Sequence, residues 1–201
     1  PGESLAKRVR QMNPPAPGQR VTSSRRSPRE AQEIIASLMS KVAHAVGFAH
    51  QQGVIHRDLK PSNILIDAEG QPHLTDFGVA KLLEHDCGLT QTNELLGTPA
   101  YMAPEQISGK AASASADVYS LGAMLYELLT GKPPFRGRTP LETLRKATEE
   151  DPVSPLTLNG NVDVELAAIS LKCLEKKPLH RYAWAQQLAE DLERWLRHEP
   201  I

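Results

Sequence analysis

The sequence predicts a mainly α-helical domain with small β-hairpins, and three observations lead there. Apolar stripes at helical spacing recur along most of the chain, several of them preceded by capping residues. Between residues 54 and 75 the pattern changes to short β-rich pieces separated by turn residues. The length of 201 residues, with 40% apolar and 23% charged side chains, suits one globular domain with its own core.

Residues 1 to 30 contain five prolines and seven Lys/Arg against Glu3 and Glu30, a local charge of +5 in a chain whose net charge is −1. This stretch reads as a linker, and its basic run from Arg20 to Arg29 as a solvated loop. Order begins at Ser27-Pro28-Arg29-Glu30: a capping hydroxyl, a proline at the first helical position and a carboxylate three residues after the cap. Ile34, Leu38, Val42 and Val46, flanked by Ile35, Met39 and Ala49, then form an apolar stripe up to Gly53.

Val54-Ile55, Ile64-Leu65-Ile66 and His73-Leu74-Thr75 read as strand pieces of hairpins, with Asp67-Ala68-Glu69-Gly70 as a turn. Residues 79 to 102 show no sustained period and predict an irregular loop, longer than connections that serve only to join elements. Asp117 to Thr130 is nearly apolar all round and stops at Gly131, as a buried helix with a glycine after its end does. Thr139-Pro140-Leu141-Glu142 repeats the capping pattern, Asp163 caps a helix running through Leu174, and Leu188, Leu192, Trp195 and Leu196 share one face of a last helix.

Composition also excludes functions. The near-neutral charge argues against a general nucleic-acid binder. Cys87 and Cys173 are far apart and lack CxxC spacing, so neither a zinc site nor a disulfide framework is indicated and a reducing cytoplasm fits. The longest apolar run, Leu121 to Leu129, is much shorter than the ~20 residues a membrane span needs. The chain starts at Pro1 with no signal-peptide pattern, which predicts processing or a fragment.

Chemistry concentrates in three motifs. Residues 56 to 63 read His-Arg-Asp-Leu-Lys-Pro-Ser-Asn; Asp76-Phe77-Gly78 follows thirteen residues after Asn63, and Ala103-Pro104-Glu105 closes the series. This ordered constellation resembles the protein-kinase signature of catalytic loop, DFG and APE, with the aspartate and asparagine of the loop five residues apart. Phosphoryl transfer asks for positioning and charge neutralisation more than for covalent chemistry, which accounts for these residue types. The resemblance implies that Asp58 accepts or orients the proton of the attacking hydroxyl, and that Asn63 and Asp76 offer oxygens to Mg2+ or Mn2+ bound with ATP. Lys60 matches the lysine that serine/threonine kinases place beside the transferred phosphate, and Gly97-Thr98-Pro99-Ala100-Tyr101 points to the same branch, with Thr98 tying the substrate loop to Asp58 and Lys60. Leu65 would lie beneath the adenine ring, with Ser4 beside it in the ATP pocket.

By the same resemblance Arg57 receives a phosphate from the long loop, for which Thr90 and Thr92 are the candidate acceptors. His56, Phe77 and Gly78 shape the site, Glu105 and Arg181 form a buried supporting pair, and Asp117 holds the backbone of the catalytic loop. The segments around Leu171 to Pro178 and Asp191 to Ile201 resemble bacterial receptor-type kinases, which often continue into a membrane helix and a sensor.

No Gly-rich loop and no Val-Ala-x-Lys strand precede His56; Lys7 and Lys41 lie in other contexts, and Gly2-Glu3-Ser4-Leu5 resembles the segment just after the hinge between lobes. The expectation is therefore the C-terminal lobe of the kinase fold with the N-terminal lobe absent: residues 1–30 a post-hinge segment with its Pro/Arg-rich insertion, residues 31–201 the lobe itself, with the catalytic loop at 56–63 and the activation segment at 76–105. Loss of one preorganised donor typically costs about 100- to 1,000-fold in rate, so little activity is expected of the chain alone. Apolar surface near Leu65 and Phe77 would then await the missing lobe or a covering partner. The expected function is transfer of the ATP γ-phosphate to serine or threonine hydroxyls of protein substrates, in the cytoplasm and without nucleic acid. The alternative is a non-catalytic binding module on the kinase fold. The intact Asp58, Lys60, Asn63 and Asp76 count against it, because a scaffold has no need of metal ligands there.

Overall fold

Local signals at Ser27 start the first long helix as its sequence demands. In the computed structural model, which describes residues 3–7, 27–77, 99–111 and 113–201, Ser27 Oγ accepts from Glu30 N–H at 3.2 Å and Glu30 Oε2 accepts from Ser27 N–H at 2.8 Å. This reciprocal capping box opens α1, Pro28–Gln51. The helix ends where Gly53, at φ +74°, and Val54 donate back to His50 and Ala49 carbonyls, the pairing of a Schellman motif. Val54 is thus spent on closing a helix, and the strand expected at Val54-Ile55 is not formed.

The other two β-rich pieces do pair. Two-residue β1, Glu3–Ser4, lies antiparallel to β2, Ile64–Ile66, which lies antiparallel to β3, Pro72–Leu74, in the order β1-β2-β3. The turn between β2 and β3 is closed by Gly70 N–H to Asp67 C=O at 3.1 Å, with Gly70 at φ +78°. Register places Ser4 opposite Leu65 and Leu65 opposite His73. Cross-strand partners share a face, so these three stand on the open side while Ile64 and Ile66 enter the core.

The remaining helices are α2 (Pro104–Ile107), α3 (Ala114–Thr130), α4 (Pro140–Glu149), α5 (Pro155–Leu158), α6 (Val164–Cys173) and α7 (Ala185–Leu196). Thr139 and Asp163 cap α4 and α6 through their side-chain oxygens, as their sequence contexts predict. Helix α3 is buried on nearly every side and ends at Gly131 in the left-handed conformation, φ +79°. One flank of α3 (Val118, Leu121, Leu125) joins the main core of α1, α6, α7, Leu5, Ile64 and Ile66. Its other flank (Tyr119, Ala123, Tyr126) packs with Ala103, Phe135, Ala147 and Leu174. At Gly122 a Cβ would collide with Cys173 Cβ, so the absence of a side chain there lets α3 and α6 meet. Among the described residues no helix is long and apolar enough to cross a membrane.

Candidate active site

The site is built on the loop between α1 and β2. Its anchor is Asp117 in the first turn of α3, a buried carboxylate that accepts three hydrogen bonds: from His56 N–H at 2.8 Å, Arg57 N–H at 2.9 Å and His50 Nε2 at 2.9 Å. Arg57 sits at φ +69°, a left-handed conformation that costs a side-chain-bearing residue roughly 1–2 kcal/mol. It is fixed from both ends, its N–H by Asp117 and its C=O by Gln106 Nε2 at 2.9 Å. The backbone is thereby turned so that Asp58 follows at the tip.

Asp58, Lys60 and Asn63 form one hydrogen-bonded group. Lys60 Nζ is 2.8 Å from Asp58 Oδ2, and Asn63 Nδ2 donates to Asp58 C=O at 2.9 Å and lies 3.3 Å from Asp58 Oδ2. With its nitrogen turned to Asp58, Asn63 directs Oδ1 the other way, where Ser62 Oγ is 3.3 Å distant. The turn Pro61–Asn63 supplies this geometry, since proline presets the first φ of a short 3₁₀ turn.

The Asp-Phe-Gly segment is tied to the same loop. Thr75 N–H and Oγ1 both reach Asn63 C=O, at 2.9 and 3.3 Å, and His56 Nε2 donates to Thr75 C=O at 3.0 Å. The next residue, Asp76, is at φ +56° and exposed, with Thr75 Oγ1 3.4 Å from its Oδ2. His56 is buried and lies against the half-buried Phe77, ring centroids 4.6 Å apart. Leu65 and Ser4 are directly opposite each other on the open face of the sheet, Leu65 being 36% exposed.

A second cluster supports the Ala-Pro-Glu segment. Arg181 clasps Glu105 with both terminal nitrogens, at 2.6 and 2.9 Å, and donates further to Ser115, Glu175 and Lys176 carbonyls. All five guanidinium N–H groups are used, which is what makes arginine and not lysine suited to a buried ion pair. Upstream, Tyr101 is held by Ser120 Oγ on its C=O at 2.8 Å and donates its phenol to Glu127 at 2.6 Å. Burial pushes the Tyr101 phenol well above its ordinary pKa and raises that of Glu127 too, so the phenol remains a donor.

Gly78, Thr90, Thr92 and Thr98 lie outside the described residues. His50, Gln106 and the Tyr101–Glu127 bond were not anticipated. Signals for the first two do exist: His50 interrupts the apolar side of α1, and Gln106 follows Ala103 by three residues, the position from which a capping-box side chain reaches back.

An aspartate–lysine–asparagine group thus sits on a loop pinned to the central helix, next to an exposed aspartate on a left-handed turn. The chain belongs to the protein kinase domain family, which matches residues 16–192, and within it to the serine/threonine branch found in bacteria. It is similar to serine/threonine-protein kinase PknB of Mycobacterium leprae, 42% identical over 83% of this chain and 26% of that protein. PknB of Mycolicibacterium smegmatis is 45% identical over 84% of this chain and 26% of that protein. A probable serine/threonine-protein kinase of Clostridium perfringens is 40% identical over 81% of this chain and 24% of that protein. The chain thus spans about a quarter of the length of the curated relatives it matches.

Proposed function

We propose that this protein transfers the γ-phosphate of ATP to serine and threonine hydroxyls of protein substrates, with Asp58 and Lys60 at the centre of the step. The observation that supports this most directly is the bonded group Asp58–Lys60–Asn63, held in place by Asp117. In this reading Asp58 Oδ2 orients the incoming hydroxyl and accepts its proton. The hydroxyl oxygen forms the new P–O bond as the bond to the ADP leaving oxygen breaks. Lys60 then exchanges part of its pairing with Asp58 for the equatorial oxygens of the phosphoryl group, where negative charge is spread.

Asn63 Oδ1 and the Asp76 carboxylate are hard oxygen donors and fit Mg2+ or Mn2+. Such an ion would keep waters and nucleotide phosphates as its other ligands. When bound, the ion neutralises charge on the β- and γ-phosphates. Leu65, with Ser4 opposite, offers an apolar seat for adenine. Thr98 would link the substrate loop to Asp58 and Lys60, and Arg57 would pair with a phosphate on Thr90 or Thr92. The domain faces the cytoplasm, where ATP is available.

These 201 residues contain no Gly-rich loop and no Val-Ala-x-Lys strand, so we propose that alone they transfer little phosphate and that a lobe carrying those motifs completes the site. Labelled MgATP and a generic protein substrate test this, comparing the chain, its Asp58→Asn variant and the same residues joined to such a lobe. Transfer only with the lobe, lost in Asp58→Asn, is expected. Transfer by the chain alone that vanishes in the variant would overturn the need for the lobe, and silence in every form would favour a kinase-fold binding module.

A further inference from the structure

Gln106 is bonded at both ends of its side-chain amide. Oε1 accepts Ala103 N–H at 3.1 Å, the back half of a capping box on α2. Ala103 has no side-chain oxygen to supply the other half, so this contact is a cap at the N-terminal end of that helix, while Ser108 Oγ donates to Pro104 C=O at the other. Nε2 reaches across forty-nine residues of sequence to Arg57 C=O at 2.9 Å. Arg57 precedes Asp58 and holds the one left-handed backbone in the catalytic loop, its N–H on Asp117.

We infer that Gln106 is a positioning residue that locks the Arg57–Asp58 peptide to the Ala103–Pro104–Glu105 segment, so that the aspartate tip and the end of the activation segment move as one body. This rests on the kinase reading above, because the catalytic consequence needs Asp58 to act on a hydroxyl. Three anchors converge on the segment: Glu105 on Arg181, Tyr101 on Glu127 and Ser120, and Gln106 on Arg57. Of these three, the first two tie it to the helical body and the third reaches the catalytic loop. The carbonyl of Arg57 faces the Gln106 amide, and a residue held at positive φ has a competing conformation close by in energy. Loss of the donor frees the peptide that aims Asp58.

Two substitutions of matched length separate this role from capping. Gln106→Glu keeps an oxygen for Ala103 N–H and removes the donor to Arg57; Gln106→Met removes both. Amide hydrogen exchange of the unmodified chain and both variants reads His56 and Arg57 on one side and Ala103 to Ser108 on the other. In Gln106→Glu the His56 and Arg57 amides are expected to exchange about tenfold faster, with Ala103 to Ser108 unchanged; in Gln106→Met both regions loosen. In the lobe-bearing form kcat is expected to fall about 10- to 100-fold in Gln106→Glu, with KM for ATP within about twofold, since orientation of the hydroxyl and not nucleotide binding is disturbed. Unchanged exchange at His56 and Arg57 in Gln106→Glu, with an unfolding midpoint like that of the unmodified chain, would overturn the inference and leave Gln106 as a helix cap. If no form transfers phosphate, the kinase reading fails while the exchange data still decide whether the strut exists.

Discussion

Asp117 shows how much of the site depends on one carboxylate. Its two oxygens take two backbone N–H groups and the His50 ring, and at 1% exposure water cannot replace any of them. Asp117→Asn would turn an NH2 toward at least one of these donors, leaving a buried polar group unpaired. A loss of about 2–3 kcal/mol in urea unfolding is expected, together with disordered His56 and Arg57 amides. Arg181 makes the parallel case: Arg181→Lys keeps the charge but has at most three donors for the five bonds made now. It should cost about 3 kcal/mol, and Glu105→Leu/Arg181→Met less than Arg181→Met alone, because an unpaired buried carboxylate is worse than none. Asp117, Glu105 and Arg181 were visible in the sequence only through resemblance to a family. Nothing local at positions 57, 106 and 117 says that side chains from two helices will meet the backbone of one residue.

At the scale of elements, what the sequence made legible was what neighbours in sequence decide. Ser27, Thr139 and Asp163 cap their helices because the donors they satisfy are two or three residues away. Val54-Ile55 misled because its β-branched residues predict a strand, while the backbone of Val54 closes the Schellman turn of α1. The pairing of α1 with α7 was equally hidden, and it includes a pH-sensitive brace. His44 Nε2 is 2.6 Å from Glu193 Oε1 and Nδ1 is 3.0 Å from Gln186 Oε1, whose amide nitrogen is turned to Glu190. Two acceptors on one ring favour the doubly protonated imidazolium. Partial burial works against that charge, but the bonds to Glu193 and Gln186 and the fields of Glu193 and Glu190 outweigh it, so the His44 pKa is raised. The His44 bond in turn lowers the pKa of Glu193, with help from Ser40 and Arg197.

A raised histidine contributes stability that is complete below its unfolded pKa of 6.5 and fades as pH climbs through the folded value. The depressed Glu193 contributes above its unfolded pKa of 4.5 and fades as pH falls through its lower folded value. The brace is therefore strongest between those two unfolded values. Because both side chains are more than a third exposed, solvent screening limits it to under about 1 kcal/mol. The difference in unfolding midpoint between the unmodified chain and His44→Ala should be larger at pH 6 than at pH 8.5. An equal difference at both pH values would show that the pair contributes only contact.

Across the whole molecule, the start of the chain and the catalytic loop belong to one structure although a Pro/Arg-rich stretch separates them in sequence. β1 adds Glu3 and Ser4 to the edge of β2, and Leu5 drops fully buried into the same core as Ile64 and Ile66. The sheet consequently has two unlike faces, one closed by the helical body and one open at Ser4, Leu65 and His73. This asymmetry predicts opposite outcomes for two leucines. Leu5→Ala removes a buried side chain and should lower stability by about 2–4 kcal/mol, even though its flanking sequence looks like linker. Leu65→Ser removes a side chain from the open face and should change stability by less than about 1 kcal/mol. In a form that transfers phosphate, Leu65→Ser should nonetheless raise KM for ATP about 5- to 20-fold through the lost apolar seat. Unfolding curves and ATP titrations on the pair measure this directly. If Leu65→Ser destabilises like Leu5→Ala and leaves KM for ATP unmoved, the open face is structural and the adenine seat lies elsewhere.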